Sequence, residues 1–227
     1  MNTEKYSKLK MMLQTNDRIE NILGLSFIIR KNVFPSDIFP STRIFGTWLI
    51  SNLKNPQNML EIGCGCGAIA IAIAKKYGCS VAASDISTSA VENCIENVKL
   101  HGLEHLVEVM LSNVFKDIPA SHSNKYETIV WNTPFMYTSK NCGLAEFYDS
   151  EYNSLQKFFE NVRLFLKKNG HAYLGFGSIG DFSLLVKIAQ LYNFTLTIMG
   201  SFRVVESAGE FDYLVIQLGD NNDSITS

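Results

Sequence analysis

A chain of 227 residues amounts to one domain with a small appendage at about 150 residues per domain, which excludes repeat arrays and multidomain machines. With 46% hydrophobic and 19% charged residues it can bury roughly 70% of its unfolded surface, so disorder as the main state is excluded. Twenty basic against 22 acidic side chains, a net charge of -2, lack the positive excess that a phosphate backbone demands, and nucleic acid is a disfavoured partner.

Residues 4–14 (EKYSKLKMMLQ) and 43–53 (RIFGTWLISNL) carry helical apolar spacing, with the extended stretch LSFIIRKNVF and Pro35 and Pro40 between them. Residues 1–54 therefore read as a cap. From residue 58 short apolar runs alternate with helical patterns: NMLEI, AIAIAIAKKYG, SVAASD, TSAVENCIENVKLHG, LVEVMLS and YETIVWN. An amphipathic helix is predicted from Tyr152 to Lys168, closed by Asn169-Gly170 with the glycine as left-handed terminus. HAYLGFG, a helix over DFSLLVKIAQLY, and the strands FTLTIM and FDYLVIQL follow, the last two joined by the polar segment GSFRVVESAGE. The fold expected for 55–220 is α/β: a Rossmann-like, seven-stranded, mostly parallel sheet with helices on both faces and an antiparallel last strand. A polar tail, 221–227, closes the chain.

No run of about 18 apolar residues occurs, and the first ten residues lack the apolar core of a secretory signal, so a cytoplasmic protein without membrane contact is expected. Five cysteines (Cys64, Cys66, Cys79, Cys94, Cys142) are an odd number and fit a reducing compartment. None joins a second Cys/His pair at zinc spacing, and no metal is expected. His101 and His105 read as surface residues, His122 as part of a polar loop and His171 as the start of a strand.

The sharpest signal is Glu61-Ile62-Gly63-Cys64-Gly65-Cys66-Gly67, after an apolar strand and before an alanine-rich helix. Glycine at every second position lets the chain turn and a ligand approach the backbone, while the helix start offers free N–H groups. The spacing G-x-G-x-G is not the dinucleotide G-x-G-x-x-G, and no G-K-S/T follows, so NAD and ATP are disfavoured. Asp85 ends the next strand, about 20 residues on, where a carboxylate can accept from both hydroxyls of a ribose. It could equally cap the following helix, as could Ser87 or Thr88.

On these residues the chain resembles the class I S-adenosylmethionine-dependent methyltransferases, with LEIGCGCG as glycine motif and AASDIS as acidic-strand motif, over roughly residues 33–218. The resemblance implies that Glu61 holds the methionine end of the cofactor and that the cofactor lies against Gly63, Cys64, Gly65 and Gly67. It further implies that Asp85 binds the ribose and that Asn113 meets the adenine amino group, with Ile86 and Val114 alongside. Asn113 stands where many members carry an acid. Residues 33–49 resemble the part of one branch in which a hairpin and helix cover the cofactor. There Phe39, Phe45 and Thr47 are candidate pocket residues, though either ring could be plain core.

Asn132-Thr133-Pro134-Phe135 ends the fourth core strand and resembles the N-P-P-Y/F motif of the amino- and amide-directed branch, which includes release-factor glutamine methyltransferases. Thr133 replaces the first proline. A nitrogen with a delocalised lone pair must have its hydrogens accepted, here by the Asn132 side chain and the Thr133 carbonyl, to align on a methyl group. Pro134 pre-sets the turn, and Phe135 stacks on a flat substrate. Tyr137, Phe147, Tyr148 and Tyr152 crowd the following stretch, an expected lid, in which Asp149 is the candidate partner for a substrate ammonium.

Three functions remain open. The first is methyl transfer to a nitrogen of a small molecule, releasing S-adenosylhomocysteine. The second is cyclisation of the cofactor itself to azetidine-2-carboxylate and methylthioadenosine, as in related azetidine-forming enzymes. The third is a silent cofactor-binding module. The sequence assigns no oligomeric state.

Overall fold

The computed structural model describes residues 3–140, 143–206 and 209–220. In chain order these form α1 (Thr3–Leu13), β1 (Arg18–Ile22), β2 (Leu25–Ile29), α2 (Pro40–Asn52), β3 (Asn58–Ile62), α3 (Ala68–Tyr77), β4 (Ser80–Asp85), α4 (Thr88–Leu100) and β5 (Val107–Leu111). There follow β6 (Tyr126–Asn132), β7 (Met136–Thr138), β8 (Tyr148–Ser150), α5 (Asn153–Phe165), β9 (Leu166–Gly177), α6 (Phe182–Leu191), β10 (Phe194–Glu206) and β11 (Gly209–Asp220).

The main sheet has seven strands in the order β10-β11-β9-β6-β3-β4-β5. Neighbours from β9 to β5 pair in parallel, and β11 runs antiparallel to both β9 and β10. The expected α/β architecture with its antiparallel last strand is what forms. Because β4 and β5 extend from β3 to one side while β6 and β9 extend to the other, the order reverses between β3 and β6. A crevice opens at such a switch point, outside the carboxyl ends of the strands.

Local chemistry explains the helices. The first seven residues of α3, alternating alanine and isoleucine, are all buried, and its end is fixed by Gly78 at φ +63°, whose N–H donates to the Ala74 carbonyl. Ser87 caps α4 by accepting from Ala90 N–H. In α5 the apolar residues Leu155, Phe158, Phe159, Val162 and Phe165 recur on one face, and all are buried. Asp181 caps α6 through Leu184 N–H at 2.9 Å.

The amino-terminal hairpin β1–β2 is docked by amides of α4. Asn97 accepts from Ile28 N–H (2.8 Å) and donates to the carbonyls of Ile28 (2.8 Å) and Cys66 (2.9 Å). Asn93 accepts from Arg30 N–H (3.1 Å) and donates to the Ile28 carbonyl (2.9 Å). Two buried side chains thus take the place of a paired strand and tie the cap to the sheet domain.

Four sequence expectations need correction. Helix α5 stops at Phe165, and Asn169-Gly170 lie inside β9; Asn169, not the glycine, takes the left-handed conformation (φ +64°), and a Cβ on Gly170 would come 3.0 Å from the carbonyl oxygens of Lys167 and Tyr126. The polar segment 200–206 is strand, with Val204 buried between exposed Arg203 and Val205, an alternation its polar composition conceals. Strand β11 carries the chain past Leu218 to Asp220. His122, expected in a polar loop, is buried and bonded to the Tyr126 hydroxyl. Cys142 and the tail 221–227 lie outside the described residues.

Candidate active site

A cleft of about 920 Å³ opens at the switch point, lined by the turn after β3, the ends of β4, β5 and β6, the segment 32–42, part of α1 and the loop before β8. That volume falls in the range of about 300–1,000 Å³ typical of small-molecule sites.

The glycine turn forms its floor. Gly63, Gly65 and Gly67 all have positive φ (+65°, +55° and +83°), yet each is needed for a different reason. A Cβ on Gly65 would meet nothing within 4 Å, so this position leaves bare backbone facing open space. On Gly63 it would come 3.0 Å from the Trp131 indole nitrogen, and on Gly67 2.6 Å from the Cys94 sulfur. Gly67 is therefore required for α3 to pack on α4, and it does not line the cleft, whereas Gly63, Cys64 and Gly65 do.

Two carboxylates frame the turn. Asp85 accepts from Gly65 N–H and Ser87 N–H, both at 2.9 Å, so it braces the turn while its remaining lone pairs face the cleft it lines. Burial raises its pKa above the ordinary carboxylate value, against the lowering effect of those N–H groups. Glu61 is 3% exposed and accepts from Ala70 N–H at 2.8 Å. Burial, with the charge of Asp85 adding to it, lifts its pKa to about 8. Further along, Ser112, Asn113 and Val114 line the cleft, and Ile86 stands over its edge 58% exposed. Val114 holds φ +57°, an outlier for a β-branched residue, pinned by the Ser112 hydroxyl donating to its carbonyl at 3.0 Å.

The Asn-Thr-Pro-Phe turn closes the other end. Asn132 is clamped on both sides: its Oδ1 accepts from the Tyr213 hydroxyl at 2.6 Å and its Nδ2 donates to Ser41 Oγ at 3.4 Å. The Thr133 hydroxyl donates to the Gly175 carbonyl at 2.7 Å, and Tyr152 donates to the Phe135 carbonyl at 2.7 Å while accepting from Asp181 N–H at 2.8 Å. The end of β9 has room for this only because it is glycine-rich. A Cβ on Gly175 would overlap the Tyr213 hydroxyl, and one on Gly177 would lie 2.6 Å from the Phe135 ring.

Residues 25–178 match the family described as Methyltransferase small domain. The chain belongs to that family. It is similar to the ribosomal protein L11 methyltransferase of Thermosipho melanesiensis, with 33% identity over 138 residues, 60% of this chain and 44% of that protein. The chain thus spans less than half the length of this curated relative. Among solved structures it resembles the ribosomal protein L11 methylase of Lactobacillus delbrueckii subsp. bulgaricus (TM-score 0.57, 19% identity, 87% of this chain and 88% of the other). It also resembles the precorrin-6y C5,15-methyltransferase of Geobacter metallireducens (TM-score 0.60, 12% identity, 86% and 94%). At these identities the structures speak for the fold.

The cofactor that membership of this family implies is S-adenosylmethionine, and the residues present fit it. Gly65 offers backbone without a side chain, Asp85 a carboxylate with free lone pairs, and Glu61 a buried acid suited to a cationic group. The other charges of the cleft agree. Glu146 lines it, half-buried, with its pKa raised first by burial and also by the nearby charge of Asp85. Lys8 is the one cationic side chain among the described lining residues.

Of the candidate substrate residues, Phe39 and Tyr148 line the cleft, Phe39 packing against Phe34 and Phe147 with centroids 5.3 Å apart in each pair. Two others belong elsewhere. Thr47 is exposed on the outer side of α2, where Ser41 and Thr42 take the cleft side. Tyr137 points away, edge-on to Tyr152, because Met136 and Thr138 occupy the inward phase of β7. Asp149 lines the cleft but is largely buried, with its two oxygens accepting from the Ser154 and Leu155 N–H groups at 3.0 Å, so it also holds the start of α5. Phe45 is core. Tyr213, Ser41 and Trp131 reach the site or its walls without any sequence motif to mark them; the adjacency of β6, β9 and β11 and the packing of α2 on β6 and β11 bring them there. Among the described residues no cluster of three or more His, Cys, Asp or Glu side chains could hold a metal ion, and no helix is long and apolar enough to cross a membrane.

Proposed function

We propose that the protein transfers a methyl group from S-adenosylmethionine to a nitrogen of a small molecule. The observation that carries this reading is the clamped amide of Asn132, which faces the same cleft as the glycine turn and Asp85. The cofactor supplies an electrophilic methyl group on a sulfonium. Glu61 would hold its ammonium end, Gly63, Cys64 and Gly65 its body, Asp85 the ribose, and Ile86, Asn113 and Val114 the adenine. With Tyr213 on one lone pair of Oδ1, the second is left to accept an N–H of the acceptor, and the Thr133 carbonyl takes another. Two acceptors at fixed positions orient the nitrogen lone pair, and such positioning accounts for most of the catalysis required when the leaving group is already good. Pro134 fixes the turn and Phe135 forms the wall beside it.

A second reading keeps the chemistry and enlarges the acceptor. The curated relative is named for ribosomal protein L11, and an amine of a protein would also suit a cleft rich in acids.

Mass spectrometry of the products tests both. Incubation with an amine library is expected to yield S-adenosylhomocysteine and a product heavier by one methyl group. Methylthioadenosine formed from the cofactor alone would replace methyl transfer by cyclisation, and binding without any product would leave a silent module. Methylation of a lysine-bearing peptide in preference to every free amine would favour the second reading.

A further inference from the structure

We propose that the acceptor end of the cleft is built for an amine carried on an apolar body that bears no anionic group. The inference rests on methyl transfer to nitrogen and names what presents that nitrogen. Four large apolar side chains line this end: Phe135 of the turn, Ile179 of the loop after β9, Val205 of β10 and Phe211 of β11. The backbone brings them together. Ser178 N–H donates to the Asp212 carbonyl at 2.8 Å, placing Ile179 beside Phe211, and Val205 pairs with Glu210 in the β10–β11 ladder. The Phe135 and Phe211 centroids lie 6.3 Å apart.

Ile179 is 52% and Val205 70% exposed. Large aliphatic groups standing in water from separate segments, and converging on the mouth of a cleft, mark a surface that a ligand covers. The wall is also stiff, since Gly177 lets the Phe135 ring pack tightly against β9 and Tyr152 holds its carbonyl.

Charge narrows the ligand further. The acid at this end, Glu210, is paired with Arg203 at 2.5 Å, and no arginine lines the cleft among the described residues. A phosphate or carboxylate entering would find Lys8 as its one cationic side chain in a lining that also carries Asp85, Glu146 and Asp149, whereas a protonated or neutral amine meets no such opposition.

Titration calorimetry on the protein saturated with S-adenosylhomocysteine tests this with three probes: 2-phenylethylamine, phenylacetate and adenosine 5′-monophosphate. The amine is expected to bind, and the two anions at least tenfold more weakly. Replacing both rim residues (Ile179→Asn with Val205→Asn) should weaken the amine at least tenfold and leave S-adenosylhomocysteine affinity and the unfolding temperature unchanged. Failure of the amine to bind, an anion binding as tightly as the amine, or a double variant that retains the amine would overturn the proposal. Absence of S-adenosylhomocysteine binding to the wild type would instead strike the methyl-transfer reading itself.

Discussion

Glu61 is an acid that the fold keeps out of water before any ligand arrives, and its titration should be visible in stability. It ionises near 4.5 in the unfolded chain and near 8 in the fold. Between those values the folded state holds the extra proton, so the ligand-free protein loses stability as pH rises through that window. Glu61→Gln keeps the shape and the bond to Ala70 N–H without a charge to bury. It should therefore raise the unfolding temperature at pH 9 by on the order of 5 °C and change little at pH 5, while weakening S-adenosylhomocysteine. Equal melting curves at pH 9 would mean that the acid is not desolvated in the fold. Tyr213 acts one bond further out. Tyr213→Phe preserves the buried ring but releases the Asn132 amide, and kcat should fall by roughly tenfold, the equivalent of one good hydrogen bond, with the cofactor Kd unchanged. A purely structural role would instead lower the melting temperature and leave kcat of the folded fraction intact.

At the scale of elements, three glycines that look alike in the chain separate into Gly65, which faces open cleft, Gly63, which lines the cleft beside Trp131, and Gly67, which only makes room for a neighbour. Gly67→Ala puts a methyl group 2.6 Å from the Cys94 sulfur at φ +83° and should cost about 2–4 kcal/mol in urea unfolding through strain and displacement of α4. Gly65→Ala meets open space at φ +55°, so only the backbone term of about 1–2 kcal/mol applies, and the larger effect should be on S-adenosylhomocysteine affinity. If the two variants lose stability equally, the division of roles is wrong. What the sequence made legible follows the same line. Alternating strands and helices and the glycine turn are local patterns, with a turn, a cap or a period to announce them, and the structure forms them, with Asp85 at the end of β4 against the turn. Tyr213 reaches Asn132 across 81 residues, and nothing in FDYLVIQL distinguishes it from a core tyrosine. Thr47 and Tyr137 fall outside the cleft for a different reason, because helix phase and strand phase decide which way each side chain faces, while Asp149 lines the cleft with its two oxygens engaged by the α5 N-terminus.

For the molecule as a whole, the packing divides into unequal parts. Two large apolar clusters, one holding α3, α4 and the hairpin, the other α5 and α6, cover the main sheet. A third is small: Leu9 and Leu13 of α1 meet Leu144 and Phe147 before β8, with Phe34, Phe39 and Tyr148 around them. This cluster roofs the cleft, and Lys8, Leu9 and Met12 look into it from above. Few buried contacts hold the roof, so it should open at much lower free energy than the sheet, on the side where the ligand must pass. Hydrogen exchange is expected to be fast in α1 and in 144–150, slow in β3, β4 and β6, and slowed specifically in the roof when S-adenosylhomocysteine binds. Leu9→Ala should accelerate release of the nucleoside more than it lowers the global unfolding free energy, because it thins a cluster that the main core does not share. Exchange in α1 as slow as in the central strands, or protection on binding confined to the glycine turn, would show that the helix is part of the permanent wall.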